Sequence, residues 1–530
     1  MSTRTADTSA GEHNPATRLL PPRPSLEFER KQAKGLLRRL RAADPHAIAR
    51  AHDQHVAPHS SLGADFTLAD AQFVIAREYG FASWPRLVQY FGDVERQRLA
   101  RRSYNWHTRE SYEHNVDALI AQHGNRRVHA GRSFAASVPR FYGKTVDEVF
   151  AFSVTEDDAR LTVARLSGRP SWEMLMEAVD TQRARHADPF NRESAAFALA
   201  RTAILAGDLA AFSGVIAEHP ELLRPSEEDL RERHTVVALA LAVEQRNVPG
   251  VRAITDWLAS QGVDVVLALS ETLCGARFGT TETVRFLLER GANPNWIAPN
   301  GISALEHALL LYWNGDAVDL IAQRATPKRA LWIDAGLGDV DGLSRFLDRH
   351  GKPTAAAYRD RPDFVAAGWL PMLPTPMPDS TEVLAEAFMV AMLNDRVAVL
   401  DYMIDRGFPV DYLELDMPFV SFAAGNQRLR VFECLVRRGA DLDLRGRQPD
   451  MTAREMARER FENAPTDPTA RRILELCGLE PEHVIAEMEA RPATEPEIMP
   501  TLQEAFDLAG DDALRLGQTE VTPENVLIGM

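Results

Sequence analysis

Residues 283–295 carry the clearest alternation of apolar and polar positions in the chain. Val284, Leu287 and Leu288 fall on one face of a helix, and Gly291 follows at the point where a helix ends in the left-handed conformation. A polar turn comes next. The same pattern returns in two later stretches, residues 400–411 and 432–443. One helix of this length cannot bury its apolar face alone, so the recurrence predicts stacked helical repeats.

The spacing of these stretches and the helix before them point to one repeat family. Gly439 comes 32 residues after Gly407. Residues 301–308 resemble the G-x-T-P-L-H-x-A opening of the ankyrin repeat, whose period is about 33 residues. Ser303 and Glu306 stand where the family has Thr and His. The resemblance implies an all-α, ankyrin-type helical solenoid, here preceded by a small helical region.

The repeat pattern extends over residues 194–478. Short turn dipeptides predict tight, partly left-handed links between paired helices, at Gly315-Asp316, Gly338-Asp339, Asn394-Asp395 and Gly425-Asn426. One interval is too long, because Gly351 and Gly407 are 56 residues apart. The surplus falls in residues 352–381, an insertion rich in proline and aromatic residues. Two interpretations remain open: a functional insertion, or a flap that covers exposed core.

A duplication precedes the array. Residues 26–91 and 92–180 carry matching residues at a constant offset of 88, including Trp84 and Trp172, each placed at the start of a helix. We expect two copies of one helical module, with both indoles buried at equivalent places. The motif is similar to a segment found beside ankyrin arrays in bacterial proteins. The preceding residues 1–25, rich in Thr, Ala and Pro, predict a disordered tail.

The last stretch of the sequence, residues 500–530, has a different character. It resembles one repeat of the N-terminal domain of Clp ATPases, with a helix, a short turn and a second helix that begins at Pro523 and Glu524. No ATPase motor follows it. The resemblance therefore implies contact with Clp-type machinery rather than ATP hydrolysis.

Composition narrows the function classes. Sixty basic against 76 acidic residues give a net charge of −16, which disfavours binding to nucleic acid. Cys274, Cys434 and Cys477 have neither paired nor metal-ligand spacing and are expected to be buried thiols in a reducing compartment. No apolar run approaches the ~20 residues of a membrane span. We therefore expect a cytoplasmic protein that binds neither nucleic acid nor membrane.

The favoured function is a non-catalytic ankyrin-repeat module or scaffold for a protein partner of unknown identity. No catalytic, cofactor-binding or metal-binding residues are predicted, because the sequence contains no metal box, nucleotide loop or nucleophile–base spacing. One alternative is an enzyme built on the solenoid, with its pocket near residues 352–381. A second alternative is an adaptor of Clp-type machinery.

The predicted partner-binding residues lie on the turn tips and first helices of two neighbouring units. They are Asn293, Asn295, Trp296, Asn300, Glu306, Tyr312 and Trp313. Trp296 follows a polar turn and is the candidate anchor, because binding energy concentrates in aromatic residues. The alternative for Trp296 is packing under the neighbouring turn.

Overall fold

The computed structural model describes most of the chain. The described segments are residues 18, 20–21, 24–54, 66–100, 109–184, 195–206, 208–220, 265–275, 280–298, 301–364, 375–447 and 450–490, with isolated positions between 252 and 262. Two compact units result, Met1–Thr452 and Ala453–Met530. The Clp-like stretch 500–530 and nearly all of the predicted tail lie outside the described residues.

The N-terminal part of the first unit consists of helices. Those of the first module are α1 (Leu26–Arg41), α2 (Pro45–Asp53), α3 (Leu68–Glu78) and α4 (Trp84–Ala100). Those of the second module are α5 (Arg109–Gly124), α6 (Val128–Ser137), α7 (Val146–Phe150), α8 (Glu156–Leu166) and α9 (Trp172–Ala184). Each module has its own cluster of buried apolar side chains, and the cluster of the first module also includes Tyr142 of the second.

The offset of 88 residues reappears in local geometry. Thr67 begins α3 with a capping box: its side chain accepts a hydrogen bond from the backbone N–H of the third helical residue, and the side chain of that residue accepts one from the Thr67 N–H. Thr155 begins α8 in the same way. Gly80 and Gly168 follow these two helices with φ of 88° and 71°. Trp84 and Trp172 open α4 and α9, and both are half-buried against their own module's core rather than fully enclosed.

The array follows as helix pairs. Within the described residues, its first helices are α10 (Ala195–Ala206), α12 (Val265–Gly275), α14 (Ala304–Leu311), α16 (Leu331–Leu337), α18 (Ser380–Leu393) and α20 (Phe419–Gly425). Its second helices are α11 (Leu209–Glu218), α13 (Thr281–Glu289), α15 (Gly315–Ala322), α17 (Val340–Ser344), α19 (Val397–Asp405) and α21 (Leu429–Arg437). From α12 to α18 each first helix contacts the next, and α17, α19 and α21 contact in turn. The predicted all-α, ankyrin-type stack is confirmed.

Four described links between paired helices, from α14–α15 to α20–α21, each contain one left-handed residue. This residue is Trp313, Gly338, Asp395 or Gln427, with φ between 52° and 77°. The dipeptides containing Gly338 and Asp395 therefore mark the link correctly. Gly315-Asp316 lies two residues after Trp313, because Asn314 is the cap from which α15 begins, whereas Gly425-Asn426 directly precedes Gln427 at the end of α20.

Fingers connect each second helix to the next first helix. Gly291, Gly407 and Gly439 leave the second helices with φ of 100°, 92° and 82°, as the pattern predicts. Three of the fingers close by antiparallel pairing, namely Ile297 with Ser303, Leu347 with Pro353, and strand β1 (Leu413–Glu414) with strand β2 (Met417–Pro418). Each of these three fingers is thus a closed loop between two helices.

The second unit contains three further described helices, α22 (Ala453–Asn463), α23 (Pro468–Leu476) and α24 (Pro481–Ala490). Asp467 caps α23, and Pro468 occupies its first position, where a missing N–H costs nothing. Gly478 follows α23 with φ of 75°.

Candidate partner-binding site

Two fingers of the array differ in their surroundings. We call residues 293–298 with 301–303 the exposed finger, and residues 412–418 the covered finger. Both follow a second helix that ends at a left-handed glycine, Gly291 or Gly407. The exposed finger faces solvent with amide and apolar side chains, whereas the covered finger carries carboxylates and lies against helix α6.

Amide side chains shape the exposed finger. The Oδ1 atom of Asn293 accepts a hydrogen bond from the Asn295 backbone N–H at 3.0 Å. The Asn293 N–H donates to the Ser270 hydroxyl on α12 at 2.8 Å. The Oδ1 atom of Asn295 accepts from the Thr326 N–H in the next unit at 2.7 Å. Asn293 and Asn295 are both exposed, although they also hold the finger in shape.

Apolar groups lie at the tip of the exposed finger. Trp296 is half-buried, and its carbonyl accepts a hydrogen bond from the Ala304 N–H at 3.3 Å. The neighbouring Ile297 is 63% exposed. Val266 on α12, whose side chain is near Gly291, is also exposed. Solvent-facing apolar side chains on a polar loop are a feature of protein-binding surfaces.

Three of the predicted contact residues make contacts inside the array. Tyr312 is buried and donates from its hydroxyl to the Leu273 carbonyl at 2.5 Å, so it connects the end of α14 to α12, the first helix of the preceding unit. Trp313 is the left-handed link residue, and its ring packs against Phe422. Glu306 forms the capping box of α14 with Ser303 and is buried. These positions are structural because the links and caps face neighbouring helices. The remaining predicted residue, Asn300, lies outside the described residues.

The covered finger is a tight two-residue hairpin. Leu415 and Asp416 form its turn with φ of 52° and 67°, as a type I′ turn requires. Under the hairpin, the rings of Phe388 and Phe408 stack at 4.6 Å, and Phe388 meets Phe419 at 4.9 Å. This aromatic cluster fixes the hairpin on α18 and α20.

Helix α6 of the second N-terminal module docks on the covered finger. The first backbone N–H of α6, that of Val128, donates to Asp416 Oδ2 at 2.9 Å. Arg127 donates to the Arg447 carbonyl in the following finger. Arg127, the capping residue of α6, makes no side-chain cap, so a carboxylate of the array satisfies this helix end. The corresponding helix α2 is capped by its own Asp44.

Arg132 enters a buried ionic cluster at this contact. We define the cluster as Arg132, Arg361, Glu382, Glu386 and Glu414. Arg132 donates to Glu414 Oε1 at 2.6 Å, and its Nε lies 3.9 Å from Glu382 Oε1. Arg361 lies 3.1 Å from that same Glu382 oxygen and donates through Nε to Glu386 Oε2 at 2.8 Å. Charges of opposite sign therefore alternate across four chain segments.

Burial and charge shift the proton equilibria of the cluster. Burial opposes the charge on Arg132, but Glu414 and Glu382 outweigh it and raise the arginine's pKa. Burial raises the pKa of Glu386 to about 7, although Arg361 acts in the opposite direction. The cluster contains two arginines and three glutamates, so a proton on Glu386 removes the excess negative charge.

The insertion 352–381 contributes to the same cluster. Its Arg361 also donates to the Thr375 carbonyl at 2.5 Å, and Phe364 is buried. Residues 365–374, in the middle of the insertion, lie outside the description. The described part of the insertion thus contacts α18 through Arg361, which supplies one charged group to the interior.

The sequence pattern did not reveal Arg132 or Glu414. One signal was present: Arg132 interrupts a run of small and apolar residues in α6, between Ala130 and Phe134, where a charge needs a buried partner. The partner itself lies 282 positions away in the chain, and no local spacing encodes such a distance.

The described residues contain neither a metal-binding cluster nor a membrane-spanning helix. His, Cys, Asp and Glu side chains do not gather there in groups of three that could hold a metal ion. The described helices also lack the combined length and apolar character that crossing a bilayer demands.

Comparison with protein-family models and with curated proteins finds no match. Among solved structures, the ankyrin repeat domain of Bcl-3 is 17% identical with a TM-score of 0.19, over 45% of this chain and 97% of that one. The human ASB11 ankyrin repeat domain is 18% identical with a TM-score of 0.19, over 45% of this chain and 96% of that one. Scores this low add no weight to the repeat geometry described above.

Proposed function

We propose that the array between residues 265 and 447 is a protein-interaction module whose fingers contact a protein partner. The observation that carries the proposal is the covered finger, which already binds a helix from elsewhere in the chain through Asp416 and Glu414. A finger edge that recognises a helix within one molecule has the chemistry to recognise one from another molecule.

The exposed finger is the proposed contact for the partner. Trp296 and Ile297 offer apolar area, and Asn293 and Asn295 offer amide groups at the rim. Aromatic anchors surrounded by polar groups are typical of binding hot spots. Because the finger is fixed by hydrogen bonds to α12 and the next unit, little ordering is required on binding.

An enzyme with a pocket near the insertion is the competing proposal. Glu386 favours it, because a buried carboxyl with a pKa of about 7 suits proton transfer. However, both Glu386 oxygens accept hydrogen bonds from Arg361. A substrate would have to displace this arginine, so we favour the interaction module.

The test is affinity capture with the full chain as bait, followed by calorimetric titration of the partner that is identified. We predict that Trp296→Ala weakens the partner by about 1–3 kcal/mol and changes the free energy of unfolding by less than about 1 kcal/mol. Phe28→Ala is the matched control, because Phe28 is an exposed aromatic on α1. Unchanged binding by Trp296→Ala, or its unfolding, would remove the exposed finger from the proposal.

A further inference from the structure

The contact between α6 and the array differs from the packing inside either partner. The buried apolar clusters of the two N-terminal modules, as far as the structure describes them, contain no residue of the array. The hydrogen bonds named above between α6 and the array cross to the covered finger from Arg132 to Glu414 and from the Val128 N–H to Asp416, and to the following finger from Arg127 to the Arg447 carbonyl. The modules therefore keep their cores if this contact opens.

Buried ion pairs specify a contact more than they stabilise it. The attraction between Arg132 and Glu414 is largely offset by removing both charges from water, since each side chain is only 5% exposed. Charge complementarity still excludes wrong partners strongly. A contact of this kind can be exchanged for another one of the same chemistry.

The acceptor side of the contact is built for a guanidinium group. Glu414 lies on a hairpin strand and Glu382 on a helix, so the two carboxylates approach Arg132 from different elements. The planar guanidinium group of an arginine carries a fork of N–H donors that reaches both carboxylates. Glu414 Oε2 is buried and has no hydrogen-bond partner. Acceptor capacity thus remains on the array side even when α6 is docked.

From these observations we propose that α6 is an intramolecular occupant that closes the covered finger, and that the partner displacing it is a protein presenting an arginine from a helix. This inference rests on the proposed function and extends it from the exposed to the covered finger. In that complex, Asp416 accepts a hydrogen bond from the first backbone N–H of the partner's helix, and Glu414 and Glu382 pair with the partner's arginine. The second N-terminal module thereby holds part of the binding edge closed.

The first test is native-state hydrogen exchange on the full chain. Arg132→Gln should speed exchange at the backbone amides of 412–418 and of the first turn of α18 by tenfold or more. Glu414→Gln should speed exchange in the same way from the array side. Agreement between the two variants would show that the faster exchange does not come from a local defect in α6. Arg140→Gln is the matched control, because Arg140 pairs with Asp158 inside its own module and should leave the hairpin unchanged.

The second test uses a synthetic peptide of residues 126–138 as the probe, with binding followed by fluorescence anisotropy. The peptide should bind the Arg132→Gln chain at least tenfold more tightly than the unaltered chain. Replacing its own Arg132 with Gln should abolish binding.

Three results would overturn the inference. In the exchange test they are hairpin exchange within twofold of the unaltered chain in both variants, and joint unfolding of the module and the array. In the peptide test it is a peptide that binds no chain, or that binds all chains equally. None of these depends on Trp296 or on a captured partner, so the proposed function would stand or fall separately.

Discussion

The exposed and covered fingers share a backbone plan and differ in chemistry. Each begins after a left-handed glycine, Gly291 or Gly407, and each folds back by antiparallel pairing. The exposed finger is made of amide and apolar groups, whereas the covered finger places Glu414 and Asp416 against α6. The repeat pattern therefore determines where a finger lies, and a few side chains determine the chemical groups that it presents.

The largest difference should come from breaking the ionic contact. Glu414→Ala leaves Arg132 buried without its closest carboxylate, and we predict a loss of about 3–5 kcal/mol in the free energy of unfolding. The double variant Arg132→Met/Glu414→Met removes both charges and should recover most of that loss. Denaturant unfolding followed by circular dichroism measures both. Equal losses in the single and double variants would show that the ion pair is not the cause.

A smaller effect should be a pH dependence of the free energy of unfolding, caused by Glu386 in the ionic cluster at the covered finger. The folded-state pKa of Glu386 is raised from 4.5 to about 7. The stabilisation linked to its proton is therefore complete below pH 4.5 and is lost as the pH rises through about 7. We predict that this linkage lowers the free energy of unfolding by about 1–3 kcal/mol between pH 5 and pH 8.

Glu386→Gln cannot ionise, so its unfolding free energy should change less over the same interval than that of the unaltered chain. Glu282→Gln, an exposed change on the helix before the exposed finger, is the control and should keep the original slope. Denaturant titrations at four pH values test both. Parallel curves for Glu386→Gln and the unaltered chain would contradict the assignment.

The smallest predicted effect is the loss of stability when the left-handed glycine before either finger is replaced, and this loss should be the same at both fingers. At Gly291 an added Cβ would lie 3.7 Å from Val266, and at Gly407 it would meet nothing within 4 Å, so only the left-handed backbone is strained. We predict that Gly291→Ala and Gly407→Ala each cost about 1 kcal/mol. Gly35→Ala, in the middle of α1 with open space around it, should instead stabilise slightly. A cost at one finger only would mean that the shared plan is incomplete.

Local patterns in the sequence predicted the helix ends well. Gly291, Gly407 and Gly439 were assigned correctly because a left-handed glycine after a helix is decided by its immediate neighbours. Tyr312 was misplaced for the opposite reason. Its hydroxyl bonds to the Leu273 carbonyl, a contact between units that helical periodicity does not encode.

The candidate site was only partly predictable. Asn293, Asn295 and Trp296 could be placed on a finger because the turn follows the helix end directly. The covered finger could not be foreseen, since its occupant comes from a module almost 300 residues earlier in the chain. Charge pairing over such distances depends on tertiary packing rather than on spacing.

The most direct test of the central claim is hydrogen exchange on the full chain with and without the captured partner. The account predicts slower exchange at residues 293–298 and 301–303 in the complex, with little change in the second helices α13 and α15. Protection confined to those helices, or to the N-terminal modules with both fingers unchanged, would contradict the claim that the array binds through its finger edge.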